Sequence, residues 1–377
     1  MLVGVDIRRA GGFGVGTYVK NLLRSLARIG PENEYVLIGG KEHWEQFPDL
    51  GENFRLELYE RPWDSPRSHV EYGFFIRRLG LNVFHMPHRW VPLFTPGPYI
   101  ATLHDLNNVF FPREDTSPTR ERLRSSLLRR GLQRASQIIT VSEATKRDAV
   151  KHLGLPAERI SVVYDAVDDE LAQPVSESER TRTLARYSID DPFVLYTGRM
   201  QPQKNVPRLI EAFAVVKAQL ENHWKLHNLK LILIGDELSA FPGVRHSVMR
   251  SRIQSSVRFL GFVPTETLRV FYDTATAFLF PSLYEGFGLP PLEAMAHGTP
   301  VVTSSVSSLP ESVGEAAVLV NPENVFDIAR GLRQILLQDE QREELRRRGY
   351  EQVRGFSWDE AARRVLEIYS QAAGGGA

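Results

Sequence analysis

Glu285 and Glu293 flank a glycine-rich turn in the stretch Tyr284-Glu285-Gly286-Phe287-Gly288-Leu289-Pro290-Pro291-Leu292-Glu293. Gly286 and Gly288 allow positive φ and let the backbone approach a ligand closely. A helix starting near Pro290 and Pro291 offers unpaired N–H groups and the positive end of its dipole, which suits an anion such as phosphate. Glu285 is a poor neighbour for phosphate and fits better as an acceptor from hydroxyl groups on the same ligand. Phosphate together with hydroxyls points to a sugar phosphate or a nucleotide sugar. Either carboxylate alone would suit a strand end in water or a surface helix pair; the glycines between them favour a site.

Other loops carry complementary chemistry. In Tyr196-Thr197-Gly198-Arg199-Met200-Gln201-Pro202-Gln203-Lys204-Asn205, two cations five residues apart sit on a strand-to-helix loop. Together they can hold a diphosphate and stabilise it as it leaves. Gly11, Gly12, Gly14 and Gly16 open onto a helix bearing Val19, Leu22, Leu23 and Leu26. That is the geometry of a phosphate cradle, although the loop alone also fits a tight turn or a dinucleotide fingerprint. His104 falls at the end of an apolar run, where an acid–base role and a plain strand end followed by Asp105 both fit. His85 and His88 either line an acceptor cleft or pack beneath a loop. No Asp-x-Asp motif and no histidine–carboxylate cluster with metal-ligand spacing occurs, so no metal is expected.

The elements that must position these loops are short apolar runs alternating with helical stretches, the rhythm of parallel α/β sheets. The first series is Met1 to Ile7, Tyr35 to Ile38, Val83 to Met86, Tyr99 to Leu103 and Gln137 to Val141. The second is Phe193 to Thr197, Leu229 to Ile234, Val257 to Leu260, Ala277 to Phe280, Val301-Val302 and Ala317 to Val320. The expected organisation is a Rossmann-like domain over 1–172, a polar, proline-marked linker over 173–191, a second Rossmann-like domain over 192–355 and a closing helix over 356–373. Two such domains would face one another across an interdomain cleft, since open α/β sheets bind ligands beyond the carboxyl ends of their strands.

Composition narrows the partners. The 377 residues suit two domains. Lysine plus arginine and aspartate plus glutamate number 46 each, so no global field favours nucleic acid. There is no cysteine, which removes disulfides, thiolate metal sites and thiol nucleophiles and is compatible with the cytosol. The first strand replaces a signal peptide, and no run reaches the ~20 apolar residues that span a bilayer. Gly374 to Ala377 reads as a frayed tail. Residues 117–134 carry arginines at 120, 122, 124, 129, 130 and 134 against Glu121 alone. Such a basic helix can lie on an anionic membrane, with Leu123, Leu127, Leu128 and Leu132 as its apolar positions, or be an ordinary solvated helix.

Glu285-x7-Glu293, within Pro281 to Pro290, resembles the signature of retaining glycosyltransferases of family 4, which have the GT-B fold. The resemblance extends along nearly the whole chain: Gly14-Val15-Gly16 matches the glycine loop, Gly198-Arg199-x4-Lys204-Asn205 the cationic loop, and Val141-Ser142-Glu143 a turn bordering the cleft. It implies that Arg199 and Lys204 hold the diphosphate and that Glu285 binds the sugar. It further implies that Glu293 accepts from the ribose, and that His104 binds a distal hydroxyl of the sugar rather than transferring a proton. The nucleotide would then lie along Gly235 and Leu260, with Gly198, Gly286, Phe287, Gly288 and Leu289 completing the donor site. Thr17 stands where many members carry arginine, so that contact is not carried over. The closing helix would return to the N-terminal domain, as in the family.

The expected activity is therefore metal-independent, retaining transfer of a hexose from a GDP- or UDP-linked sugar to a glycan or lipid-linked acceptor, with no cofactor. Mannose is the first choice, from similarity to bacterial polysaccharide mannosyltransferases. The expected place is the cytoplasm, including its membrane surface. A nicotinamide oxidoreductase, a non-catalytic nucleotide-sugar binding protein and a GT-B phosphorylase or epimerase are the rival readings; the first leaves Arg199, Lys204 and the Glu285 loop without a role.

Overall fold

Apolar runs bounded by glycine or polar turns form the strands, which suits sheets buried on both faces. In the computed structural model, the structure describes all residues except 13, 49, 63, 64, 66, 113–116, 237–240 and 375–377. Phe13 of the glycine loop and 375–377 of the tail thus lie outside the described residues. The chain divides into two units, Met1–Asp165 with the segment from Ser357 onward, and Ala166–Phe356.

The first unit holds a seven-stranded sheet of β1 (Leu2–Asp6), β2 (Glu34–Gly39), β3 (Phe54–Leu58), β4 (Val83–Met86), β5 (Tyr99–Leu103), β6 (Gln137–Thr140) and β7 (Ile160–Val162) in the order β3-β2-β1-β4-β5-β6-β7. Every pairing is parallel. Strands β3 and β7 escape a reading by hydrophobic runs. The edge strand β3, Phe54-Arg55-Leu56-Glu57-Leu58, alternates apolar and charged residues, and Arg55 lies 3.6 Å from Glu34 and 3.8 Å from Glu57. Strand β7 has only three residues.

Helix Val15–Ile29 buries Tyr18, Val19, Leu22, Leu23 and Leu26 as one stripe. Against it packs the final helix, Trp358–Gly374, through Trp358, Ala361, Ala362, Val365, Ile368, Tyr369 and Ala372. Polar ties fix the register. Tyr369 Oη lies 2.7 Å from His85 Nδ1, His85 Nε2 lies 2.8 Å from Thr102 Oγ1, and Arg28 pairs with Asp359 at 2.7 Å. Helix Trp358–Gly374 is therefore part of the first unit's core.

The second unit holds β8 (Phe193–Gly198), β9 (Lys230–Gly235), β10 (Val257–Gly261), β11 (Ala277–Phe280), β12 (Val301–Ser304) and β13 (Ala317–Val320) in the order β10-β9-β8-β11-β12-β13. These pairings are also parallel. Residues 173–191, read from sequence as a linker, cluster with this unit and contain helix Glu177–Tyr187. Its polarity serves fixed contacts. Ser176 and Glu179 form a capping box, Arg180 pairs with Asp273 at 2.7 Å and Arg269 with Glu179 at 3.1 Å.

Both sheets reverse strand order beside their first strand, between β1 and β4 and between β8 and β11. Loops leaving these strands diverge to opposite faces and open a crevice at the carboxyl edge of each sheet. Among the described residues, no helix is long and apolar enough to cross a membrane.

Candidate functional site

The loops after β8 and β11 stand on either side of the second sheet's switch point and are bound to one another. The Leu283 N–H donates to the Gln203 carbonyl at 2.7 Å. Asn205, held in the left-handed region at φ 59°, donates from Nδ2 to the carbonyls of Pro281 at 2.9 Å and Pro322 at 2.7 Å. One buried amide thus registers the chain beyond β8, β11 and β13. Across this scaffold Lys204 Nζ donates to Glu285 Oε1 at 2.6 Å and Oε2 at 2.8 Å, with the two side chains 16% and 10% exposed.

The Lys204–Glu285 pair joins residues that sequence reasoning assigned to diphosphate and sugar separately. Its chemistry is an exchange: an anionic ligand competes for the ammonium while a ligand hydroxyl satisfies the carboxylate. The pair is held from below. Ser307 Oγ donates to the Glu285 carbonyl at 2.7 Å and accepts from the Glu285 N–H at 3.1 Å, and Ser308 Oγ donates to the same carbonyl at 3.0 Å. Ser307, Ser308 and Asn205 were missed as functional supports. The serine cluster at 304, 305, 307 and 308 was visible in the sequence, but only the fold sets it under Glu285.

Arg199 is half exposed, and its Nε lies 3.5 Å from Asp236 Oδ1. Asp236 Oδ2 also accepts from the Met200 N–H at 3.0 Å. Gly198 and Gly235 end neighbouring strands so closely that a Cβ on Gly235 would lie 2.0 Å from the Gly198 carbonyl oxygen. Leu260, half-buried, precedes the last residue of β10, one strand further out.

Beyond Glu285, the ring of Phe287 is buried and meets Phe356 edge to face at 5.3 Å, so only its backbone is placed to serve a ligand. Gly288, at φ 100°, caps helix Leu289–Ala296; a Cβ there would come within 2.7 Å of Leu309. Pro290 and Pro291 occupy the first turn. Proline has no N–H, so of the four free amides at an ordinary helix start only those of Gly288 and Leu289 remain. This helix start therefore offers an anion fewer free N–H groups than an ordinary helix start does.

Glu293 lies on that helix, where Tyr272 Oη donates to its Oε2 at 2.6 Å. Burial pushes its carboxyl up to about 7, against the Tyr272 hydrogen bond and with a further push from Asp168. The Tyr272 hydroxyl also lies 2.6 Å from Thr197 Oγ1, which ties Glu293 to the end of β8.

In the first unit, helix Val15–Ile29 begins at Gly14, φ 71°, with no side-chain cap. Gly16 has a packing reason: a Cβ there would sit 2.3 Å from the Ala10 carbonyl oxygen. His104 Nε2–H donates to the Pro87 carbonyl at 3.0 Å, which assigns the tautomer and leaves Nδ1 as an acceptor. Burial lowers its pKa, partly offset by the Pro87 hydrogen bond, and its ring meets Tyr18 edge to face at 4.8 Å. This is a fixed, neutral imidazole able to accept from a hydroxyl. His85 and His88 are core residues instead, both pushed down to about 3 by burial. Ser142 accepts from the Thr145 N–H at 3.0 Å and so caps helix Glu143–Leu153. In helix Pro118–Arg134, Leu132 is fully buried whereas Leu123 is 61% exposed; the side chains at 118, 120 and 121 lie outside the described residues.

Residues 180–352 match the family model "Glycosyl transferases group 1", and residues 13–171 match "Glycosyltransferase Family 4". The chain is 32% identical over 386 residues to the O-antigen chain mannosyltransferase B of Escherichia coli, covering 94% of this chain and 95% of that protein. It is 28% identical over 403 residues to the D-inositol 3-phosphate glycosyltransferase of Corynebacterium aurimucosum, covering 95% and 91%. Anabaena Alr3699/HepE, solved in complex with UDP and glucose, has the same fold, with TM-score 0.77, 18% identity and coverage of 98% and 100%.

Proposed function

The chain belongs to the group 1 glycosyl transferases with the GT-B fold, and from that premise we propose that it transfers mannose, with retention of configuration, from GDP-mannose to a glycan or lipid-linked glycan acceptor. The observation that carries the reading is the Lys204–Glu285 pair at the switch point, a cation for the diphosphate and a carboxylate for sugar hydroxyls on one rigid scaffold. Arg199 adds a second cation on the same loop. Mannose rests on the likeness to the O-antigen mannosyltransferase; UDP-glucose is the second donor, suggested by the UDP and glucose in the Anabaena relative of this fold.

In the step proposed, the bond from the anomeric carbon to the diphosphate oxygen breaks and its electron pair leaves with the phosphate. Arg199 and Lys204 stabilise that charge without a divalent ion, in a site where fixed charges act strongly. The acceptor hydroxyl attacks from the same face through an oxocarbenium-like ion pair, and its proton passes to a departing phosphate oxygen. Glu285, engaged by Lys204 and facing hydroxyls, serves as a sugar ligand rather than a nucleophile. His104, neutral and tethered to Pro87, positions a hydroxyl through Nδ1. The basic helix Pro118–Arg134 supports a reading in which the enzyme works at the anionic cytoplasmic face of a membrane, near lipid-linked acceptors.

The test is transfer from GDP-mannose and UDP-glucose to short mannan and lipid-linked acceptors, in the presence of a chelator, with the product anomer read by proton NMR. An α-linked product from an α-linked donor is expected. An inverted product, a requirement for free phosphate, donor isomerisation without transfer, or binding without turnover would each overturn the reading.

Glu293 gives the donor site a pH dependence. Its carboxyl, raised to about 7, accepts from ribose hydroxyls more strongly when ionised, so donor affinity is highest above that pH and falls below it. The donor KM is expected to rise from pH 8 to pH 6, by at most about tenfold, and Glu293→Gln to flatten the profile. An unchanged profile in Glu293→Gln assigns the titration to another group.

A further inference from the structure

We propose that Tyr18 is the positioning residue for His104: its ring sets the plane of the imidazole and so the direction in which Nδ1 meets a ligand hydroxyl. This deepens the reading of His104 as a sugar ligand and rests on it. The bond that His104 Nε2–H donates to the Pro87 carbonyl is a pivot. It fixes one corner of the ring but not the plane, and the lone pair of Nδ1 turns with the plane. Tyr18 supplies the second restraint. Its ring is fully buried and stands at 82° to the imidazole, with the centroids 4.8 Å apart. That is the edge-to-face arrangement that aromatic pairs favour, so turning the imidazole would break the pair or push Tyr18 aside.

Tyr18 is itself braced. Its hydroxyl lies 3.3 Å from Thr102 Oγ1, and the ring of Trp358, at the start of the closing helix, meets it at 5.9 Å. Thr102 belongs to β5 and His104 follows the end of that strand, so Tyr18 touches the same stretch of chain twice, through its hydroxyl and through its ring. Thr102 is held in turn by His85, whose other ring nitrogen meets Tyr369. Tyr18 comes from the first turn of helix Val15–Ile29, where its N–H donates to the Gly14 carbonyl at 2.9 Å. One side chain thereby couples the glycine loop to the aim of His104. Core packing alone would account for a buried tyrosine. What sets this one apart is that its ring partner keeps a nitrogen for a ligand.

The test is transfer by the full chain from GDP-mannose and from its analogue lacking the distal hydroxyl, or from the matching UDP-glucose pair if that is the donor used. The unaltered chain is expected to favour the complete donor about tenfold in kcat/KM, the scale of one hydrogen bond. Tyr18→Leu is expected to lose most of that preference through the complete donor alone, with kcat/KM for the deoxy donor nearly unchanged. Tyr18→Phe, which keeps the ring, is expected to retain it. Tyr35→Leu removes a comparably buried ring from the same unit and is expected to lower the thermal midpoint while leaving the preference intact. Tyr18→Met, nearer to tyrosine in volume, takes the place of Tyr18→Leu if the latter does not fold. A second measurement needs no donor. With isotope-labelled histidine, and His104 assigned by its loss in His104→Gln, the imidazole nitrogens are expected to report one Nε2-protonated tautomer in the unaltered chain and in Tyr18→Phe. In Tyr18→Leu they are expected to report an average of both tautomers. Unchanged His104 nitrogens in the ringless variant, a preference that it retains, or a preference lost equally in Tyr35→Leu each overturn the proposal. No preference in the unaltered chain, together with the expected change in the His104 nitrogens, overturns the assignment of His104 to the sugar and leaves Tyr18 as the residue that positions it.

Discussion

Lys204→Ala is expected to lower kcat about a thousandfold, the scale on which a preorganised charge at a leaving group acts. The ammonium is mostly buried and reaches both oxygens of Glu285, so its removal has two effects that must be separated. One is on the leaving diphosphate, which loses a cation that no solvent ion replaces as well. The other is on the resting protein, where Glu285 is left as a poorly hydrated carboxylate among loop carbonyls. The double variant Lys204→Ala/Glu285→Ala removes the second effect and keeps the first. Its thermal midpoint is expected to return toward that of the unaltered chain while turnover stays low. Activity within tenfold of the original in Lys204→Ala would remove Lys204 from the mechanism.

Asp6→Ala is expected to cost about 3–5 kcal/mol of folding stability, as breaking a buried ion pair does. Asp6 is fully buried and Arg8 nearly so. The guanidinium donates to the carboxylate through Nη2 at 2.5 Å and Nε at 3.1 Å, Tyr72 Oη donates to it at 2.8 Å, and the Tyr72 ring lies 4.1 Å from the guanidinium carbon. Burial alone would raise the Asp6 carboxyl, but the charge and hydrogen bonds of Arg8 hold it below its ordinary value. A carboxyl depressed on folding contributes stability above its unfolded pKa, near 3.8, and loses it as pH falls toward the folded value. Urea unfolding should show the deficit at pH 7 and a smaller one in strong acid. Asp6→Ala/Arg8→Leu, which leaves no unpaired charge, should recover part of the loss. A single-variant cost under about 1 kcal/mol would mean that the pair is far better hydrated than its burial indicates.

Much of the fold was legible because strands buried on both faces leave uninterrupted apolar runs, as Leu231-Ile232-Leu233-Ile234 does in β9. Strand β3 was not legible because an edge strand needs only one apolar face, nor β7 because three residues have no measurable period. The chemistry that single loops offer was readable from glycine and charge, but their pairing was not. Lys204 and Glu285 are 81 positions apart, and they meet because β8 and β11 are neighbours although two strands intervene in sequence. Nothing local in either loop specifies that adjacency. The loss of two amides at the helix after Gly288 was readable from Pro290 and Pro291, whereas Tyr272 as the partner of Glu293 required the packing of helix Thr265–Thr274.

The docking of helix Trp358–Gly374 on the first unit bears on how the protein is made. Synthesis runs from the N terminus, so the apolar stripe of helix Val15–Ile29 and the ring of His85 stay uncovered at the ribosome until everything from Ala166 to Phe356 has been translated. Domains otherwise tend to fold in the order of their emergence. In this chain the later unit can complete itself first, and the earlier one waits for the last helix, so chaperone demand during translation falls on the first unit and a ribosome stalled near residue 356 leaves the older half, not the newer, unfinished.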